Sequence, residues 1–439
     1  MQRTEVVIVG AGFTGLAAAS EFKAAGIDFR LLEARDRVGG RVEGARNGLG
    51  ERVDLGGQFF CEDMPGVMAL AQQYGKTLVT TPFEGDSLLQ PASRNGHDIE
   101  EAFARAAALR QRMRAIDPAD PAIAGLTASA WAERQETTPE ARHMFLSMVE
   151  GLWCKPAEAI PFWYVASNDQ RITNKVSELQ YFAGETLHSL AEDMARSLGS
   201  GVETSQPVER IVRDSDGVTV EGRSRTYQAR HAILAVPPVM VRKIAFEPGL
   251  PPSLREALAA WESGTVVKSF LRYPSAFWRR KGLSGSVLWL DRRGLYVCDA
   301  SPDEDHAMLV AFAGGPIATL WMANGEAMLR RQLLSRLVPA LGPEAAEPLD
   351  FICRDWSGDR WSGGGYSDDI MDMAARDAED VLRRGLAEVS FASSELSPSF
   401  PSYVEGAITI GRLQARAVIA RFSAAAAEAP QSTGANLAG

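Results

Sequence analysis

The hydrophobic pattern opens on a short β-branched run, Glu5 to Val9 (EVVIV), as expected of a strand buried on both faces of a parallel sheet. The Ala-rich stretch from Leu16 to Ala25 has helical spacing and ends at Gly26, a suitable C-cap. Asp28 to Leu32 (DFRLL) predicts a second strand. From about Pro82 to Leu198 the pattern changes: Ala, Arg and Glu are abundant, β-branched runs are few, and Ile99 to Ile116 predicts one amphipathic helix broken by Asp117-Pro118 and Asp120-Pro121. Alternation returns at Val202 to Val220 and predicts two strands joined at Asp214-Ser215-Asp216-Gly217. His231 to Val236 is a buried strand stopped by Pro237-Pro238. After Pro251 come a short helix and a strand from Thr265 to Tyr273, and a last helix runs from Gly406 to about Ala425.

The junction between the first strand and helix carries chemistry. Gly10-Ala11-Gly12-Phe13-Thr14-Gly15 fits G-x-G-x-x-G. The first glycine makes the tight turn, the second lets backbone approach a pyrophosphate, and the third lets helix and strand pack closely. Phe13 and Thr14 then open a helix whose free amides face the phosphate. Glu33 ends the second strand, about twenty residues after the glycines, where a carboxylate accepts both ribose hydroxyls and repels a 2′-phosphate. Strand, glycine turn, helix, strand and acid together predict a dinucleotide site rather than an ordinary α/β turn.

At 439 residues the chain exceeds what one hydrophobic core supports, so two domains are expected, with their interleaving left open by length alone. The net charge of −10 disfavours nucleic acid and anionic membrane as partners and is compatible with cationic substrates. Met1 to Thr4 leaves no room for a signal peptide before the first strand, and no apolar run reaches a membrane span, so a cytoplasmic protein is expected. Cys61, Cys154, Cys298 and Cys353 are far apart and read as reduced thiols. The five histidines are scattered without metal-ligand spacing, and no metal site is expected.

A series of segments resembles, in order, those of the flavin-containing amine oxidase family. After the glycine turn, Glu33-Ala34-Arg35-Asp36-Arg37-Val38-Gly39-Gly40-Arg41 resembles the family's post-strand segment, where Gly39 and Gly40 free backbone amides and Arg41 supplies a charged donor to the FAD pyrophosphate. Asp54-Leu55-Gly56-Gly57-Gln58 resembles the DLGGQ element beside the flavin. The strand ending Ala235-Val236-Pro237-Pro238 resembles the one that returns the chain to the FAD domain, and Val208 stands where a residue packs on adenine. Val266-Val267-Lys268 followed by Tyr273-Pro274 and Phe277-Trp278 resembles the monoamine oxidase segment whose lysine holds a water against flavin N5; an unpartnered ammonium among apolar neighbours is otherwise costly. Trp361-Ser362-Gly363-Gly364-Gly365-Tyr366 resembles the W…SGG(C/x)Y element. Ser394 and Glu395 belong to a match to FAGTE, and Tyr403-Val404-Glu405-Gly406-Ala407 matches YMEGA, with the following helix N-terminus facing the flavin pyrimidine.

The resemblance implies an α/β fold in which a Rossmann-type FAD-binding domain (residues 1–81, 199–250 and 359–425) interleaves with an α+β substrate domain (82–198 and 251–358), with a disordered tail at 426–439. It implies FAD-dependent oxidation of a small-molecule amine, with O2 as electron acceptor and the amine held between Tyr366 and Tyr403. Three departures qualify it. Gly365 stands where monoamine oxidases carry the flavin-linked cysteine, so the FAD is expected to be non-covalent. Ser393 replaces a glycine of FAGTE. No arginine follows DLGGQ to pair with a substrate carboxylate, which favours an amine without one. A dehydrogenase serving a carrier protein, an amino-acid oxidase or desaturase relative, and a flavin-binding protein without turnover stay open, and a homodimer is compatible with the sequence.

Overall fold

The computed structural model describes residues 1–91, 99–291 and 293–428. Its dinucleotide-binding half is a five-stranded sheet, all parallel, in the order Val389–Phe391, His231–Leu234, Val6–Val9, Phe29–Leu32, Val202–Glu203. Val6, Val7 and Ile8 are fully buried because the Phe13–Ala24 helix packs on the sheet and strands Gly217–Gly222 and Thr226–Ala229 of an adjoining sheet pack against it as well, which is why the first strand is apolar throughout. The Phe13–Ala24 helix packs on the strands so closely that a Cβ at Gly15 would collide with the Gly10 carbonyl oxygen. The long Val404–Glu428 helix lies against it, and a Cβ at Gly411 would meet the Thr14 carbonyl in the same way. A second five-stranded sheet, built on the Val208–Asp214 and Gly217–Gly222 hairpin, adjoins it.

The other half is a six-stranded sheet in which Val266–Arg272 lies between Asp350–Asp355 and Met308–Gly314, antiparallel to both. Alternation along this strand divides its faces. Val267 and Leu271 enter a core covered by the Glu326–Leu341 helix through Leu329, Leu333, Leu337 and Leu341, spaced every fourth residue. Phe270 turns instead to a smaller cluster with Val53 and Leu55 from the dinucleotide side, and Lys268 points the same way. A third layer comprises helices Ile99–Arg114, Pro139–Trp153 and Phe162–Gln170.

Three expectations need correction. Val202–Glu203 does not belong to the hairpin: it pairs with Phe29–Leu32 at the edge of the parallel sheet, and the hairpin begins only at Val208, after Pro207. The stretch expected to be helical contains Asp86–Gln90, which joins the six-stranded sheet beside Leu283–Trp289, and Tyr181–Ala183, which pairs with Leu78–Thr80. Both are short and lack β-branched residues, so pairing supplies what propensity does not. The Leu187–Leu198 helix from the same stretch packs on the Phe13–Ala24 helix of the dinucleotide half. The tail expected at 426–439 lies, from 429 onward, outside the described residues.

Candidate active site

One cavity of about 880 Å³ runs from the glycine turn to the six-stranded sheet and the helical layer. At its dinucleotide end lie Gly10, Gly12, Phe13, Thr14, Glu33, Ala34, Arg35, Gly39, Gly40, Arg41 and Val208. Gly12 gives the Phe13–Ala24 helix no side-chain cap, so its first-turn amides are left for a ligand. Glu33 is buried, and its carboxylate accepts the amides of Ala11 and Arg35, each at 2.8 Å. Burial pushes its pKa up, against the pull of those two hydrogen bonds. Arg35 donates to Asp359 at 2.7 Å. Asp359 also accepts the amides of Trp361 and Ser362 and thereby fixes the turn that carries Trp361 to the cavity wall.

Where the two halves meet, the cavity is lined by Gly56, Gly57, Gln58, Lys268, Trp361, Tyr366, Ser394, Tyr403 and Ala407. Lys268 is 1% exposed and donates to Gln58 Oε1 at 2.7 Å and to the Gly56 carbonyl at 2.9 Å. The rings of Phe270, Phe312 and Phe59 stand 5.1, 5.4 and 5.9 Å from its Nζ, close enough for cation–π attraction. Burial pushes the ammonium pKa well below the ordinary lysine range, and the nearby Asp54 carboxylate opposes that fall. Asp54 is itself held by the amides of Leu187 and His188, at 2.7 and 3.2 Å, at the start of the Leu187–Leu198 helix.

Tyr366 and Tyr403 reach the same chamber from different segments. Tyr366 meets Phe312 edge-on at 6.3 Å and Tyr403 meets Phe400 edge-on at 6.1 Å. Burial raises both phenol pKa values, so both hydroxyls stay neutral at physiological pH. The outer wall comes from the helical layer, where Phe103, Ala106, Ala107 and Arg110 form one stripe at helical spacing. Arg110 donates three times to buried Asp169, at 2.8 to 3.2 Å, and reaches Glu178 at 3.4 Å. Burial works against the Arg110 charge, but Asp169 more than offsets it.

Four predicted cofactor residues stand behind the wall. Gly15 serves helix-strand packing. Glu395 is fully buried and holds Arg41 at 2.5 Å while accepting the Asp368 amide, so the Arg41 charge is already matched within the protein. Glu405 accepts the amides of Gly66 and Val67, at 3.0 and 2.9 Å, and caps the Pro65–Gln73 helix, whose N-cap residue Met64 has no side-chain acceptor to offer. Gly406 is pressed against the Phe400 carbonyl. Wall residues without a motif escaped the sequence reading. Phe312 and Tyr296 come from neighbouring strands of one sheet face, Arg110 looks like a solvated position of an amphipathic helix, and Glu178 is a charged residue between elements. Ser393, the departure from FAGTE, lines the cavity with a buried hydroxyl that has no partner.

The uncapped helix, the glycine cradle, the buried acid and the orphaned hydroxyl fit a dinucleotide, and the fold is that of a two-part dinucleotide-dependent oxidoreductase. The sequence profile of the family "Flavin containing amine oxidoreductase" matches residues 13–419, and the chain belongs to that family. It is therefore an oxidoreductase acting on amines, and its cofactor is FAD. Among curated relatives, putrescine oxidase of Kocuria rosea is 29% identical over 97% of each chain. L-amino acid dehydrogenase of Synechocystis sp. is 25% identical over 94% of each. Among solved structures, wild-type putrescine oxidase bound to putrescine is similar at a TM-score of 0.88 and 25% identity, covering 95% of this chain and 99% of that one. Cyclohexylamine oxidase from Brevibacterium oxydans IH-35A is similar at 0.88 and 26%, covering 96% and 99%.

Proposed function

We propose that the chain oxidises an amine lacking an α-carboxylate, by loss of hydride from the carbon next to nitrogen, and that O2 takes up the electrons. FAD, when bound, supplies the hydride acceptor. The chain's own residues do the rest. The amides of the first helical turn hold the pyrophosphate, Glu33 accepts the ribose hydroxyls and Val208 packs on the adenine. Tyr366 and Tyr403 hold the amine between two neutral aromatic faces, which exclude water and orient the reacting C–H bond. No side chain acts as base when the amine binds neutral. The imine produced takes up water to give a carbonyl and ammonia or a smaller amine, while O2 leaves as H2O2. Lys268 places a positive charge where negative charge develops on oxygen, in a site dry enough for that charge to count.

The buried Lys268 ammonium, sharing one chamber with Tyr366 and Tyr403, carries this reading. It also favours O2 over a carrier protein. Among the described residues no cysteine lines the cavity and Gly365 offers no sulfur, which supports non-covalent binding. An anaerobic panel of amines tests the proposal: at least one should bleach the flavin, and air should restore it with one H2O2 per turnover. Bleaching without peroxide on reoxygenation favours the dehydrogenase reading, and a panel of broad chemistry that leaves the flavin oxidised overturns amine oxidation.

A further inference from the structure

The chamber before Tyr366 and Tyr403 is mostly aromatic and aliphatic, yet its outer wall carries charge. Glu178 lines it and acts electrostatically on Tyr403, whereas Glu33 and Glu209 line the dinucleotide end. Its hold on Arg110 is loose, one contact of 3.4 Å, whereas Arg110 is bound to Asp169 by three shorter contacts. Arg114 also donates to Asp169, at 2.7 Å. Arg110 is thus anchored on an Asp169 that it shares with Arg114, and Glu178 adds only its single longer contact. A second polar group waits on the same wall. Asn168 is 3% exposed and lines the chamber, and its Nδ2 has no hydrogen-bond partner.

We infer that Glu178 is a specificity-determining site for a second ammonium at the far end of the substrate, so that the preferred substrates are diamines or longer polyamines. This rests on the proposed reading that an amine occupies the chamber between the tyrosines. A neutral amine group at the reacting end and a charged one at the far end are both served, by apolar rings at one side and a carboxylate at the other. An ammonium brought to Glu178 replaces a weak contact with a charge-assisted hydrogen bond in a largely desolvated chamber. A monoamine of the same length leaves its apolar tail against Glu178, which then stays on Arg110.

The test compares α,ω-diaminoalkanes with n-alkylamines of equal chain length on the FAD-loaded wild-type enzyme and on Glu178→Gln, reading kcat/KM for each. The wild type should prefer the diamine at its best length by tenfold or more, and Glu178→Gln should reduce that ratio at least tenfold, about 1.4 kcal/mol. Glu178→Asp should recover part of it. Binding gives a readout without turnover. Diamines with two methyl groups on each carbon next to nitrogen, which have no hydride to lose, should bind more tightly than the correspondingly substituted monoamines, by shift of the flavin absorbance, and lose that advantage in Glu178→Gln. A wild type that oxidises monoamines as well as diamines, or one that prefers amines with a distal carboxylate through Arg110, overturns the inference and leaves amine oxidation standing. Failure of mono-, di- and polyamines alike overturns the proposed function itself.

Discussion

Lys268 Nζ donates to Gln58 Oε1 at 2.7 Å, joining the six-stranded sheet to the glycine segment of the dinucleotide half. The bond fills one acceptor need of an ammonium that burial would otherwise strip of partners, and Gly56 fills another. Both acceptors lie on the wall that faces the same cavity as the lysine, so the charge is pinned at the junction of the two halves.

Lys268→Met keeps length and apolar packing but removes the charge. Anaerobic reduction by an amine should stay near the wild-type rate, while reoxidation by O2 should slow roughly tenfold or more, about 1.4 kcal/mol in barrier. Stopped-flow records of the two half-reactions decide between this and a purely structural lysine, for which reoxidation would be unchanged.

The pH dependence of reoxidation follows from the same burial. Because the ammonium pKa is pushed down, the charge is present at low pH and lost as pH rises through a value below the ordinary lysine range, about 10.4. The reoxidation rate should therefore fall before that range is reached. Gln58→Met removes an acceptor and should move the fall to still lower pH. A rate flat up to the ordinary lysine range would show that Lys268 is not the titrating group.

The cofactor should leave intact. With no sulfur at Gly365 and no cysteine on the described cavity wall, acid or heat precipitation should release FAD into the supernatant, and flavin retained on the pellet would refute non-covalent binding. Glu33→Gln should weaken FAD retention by removing a charged acceptor from the ribose, measured as Kd by flavin fluorescence.

The parallel sheet and the glycine cradle were legible because their signals are local: a β-branched run, a turn with required glycines and an acid at fixed spacing. Lys268 was legible for a related reason, a charge inside an apolar strand. Arg110, Glu178 and Asn168 were not, since each becomes a wall residue only when the helical layer folds over the sheet, and no spacing announces a contact made at long range. Glu405 shows the opposite failure. Its place in a motif suggested the cofactor, but its carboxylate is occupied by the amides of Gly66 and Val67, a demand set by a helix far away in sequence.

That placement gives Glu405 a stability role. Glu405→Ala leaves two amides of the Pro65–Gln73 helix without their acceptor in a buried setting, and the loss should be about 1–3 kcal/mol. Urea unfolding should show a lower midpoint, with FAD affinity near wild type in the folded protein. Loss of FAD affinity with the midpoint unchanged would return Glu405 to the cofactor site.

The tyrosine pair is tested by separating ring from hydroxyl. Both tyrosines are half-buried and their phenol pKa values are raised, so neither carries charge to attract an ammonium or abstract a proton at physiological pH; what they present to an amine is an aromatic face. Tyr366→Phe and Tyr403→Phe keep that face and should reduce the flavin within a few-fold of the wild-type rate. The alanine variants open the chamber, admit water and free the reacting C–H bond from its orientation, and should slow reduction at least tenfold, about 1.4 kcal/mol, with the spectrum of the bound flavin intact. The same stopped-flow experiment covers all four. Phenylalanine variants as slow as the alanine ones would assign the chemistry to the hydroxyls, and alanine variants as fast as wild type would reduce both tyrosines to packing against Phe312 and Phe400.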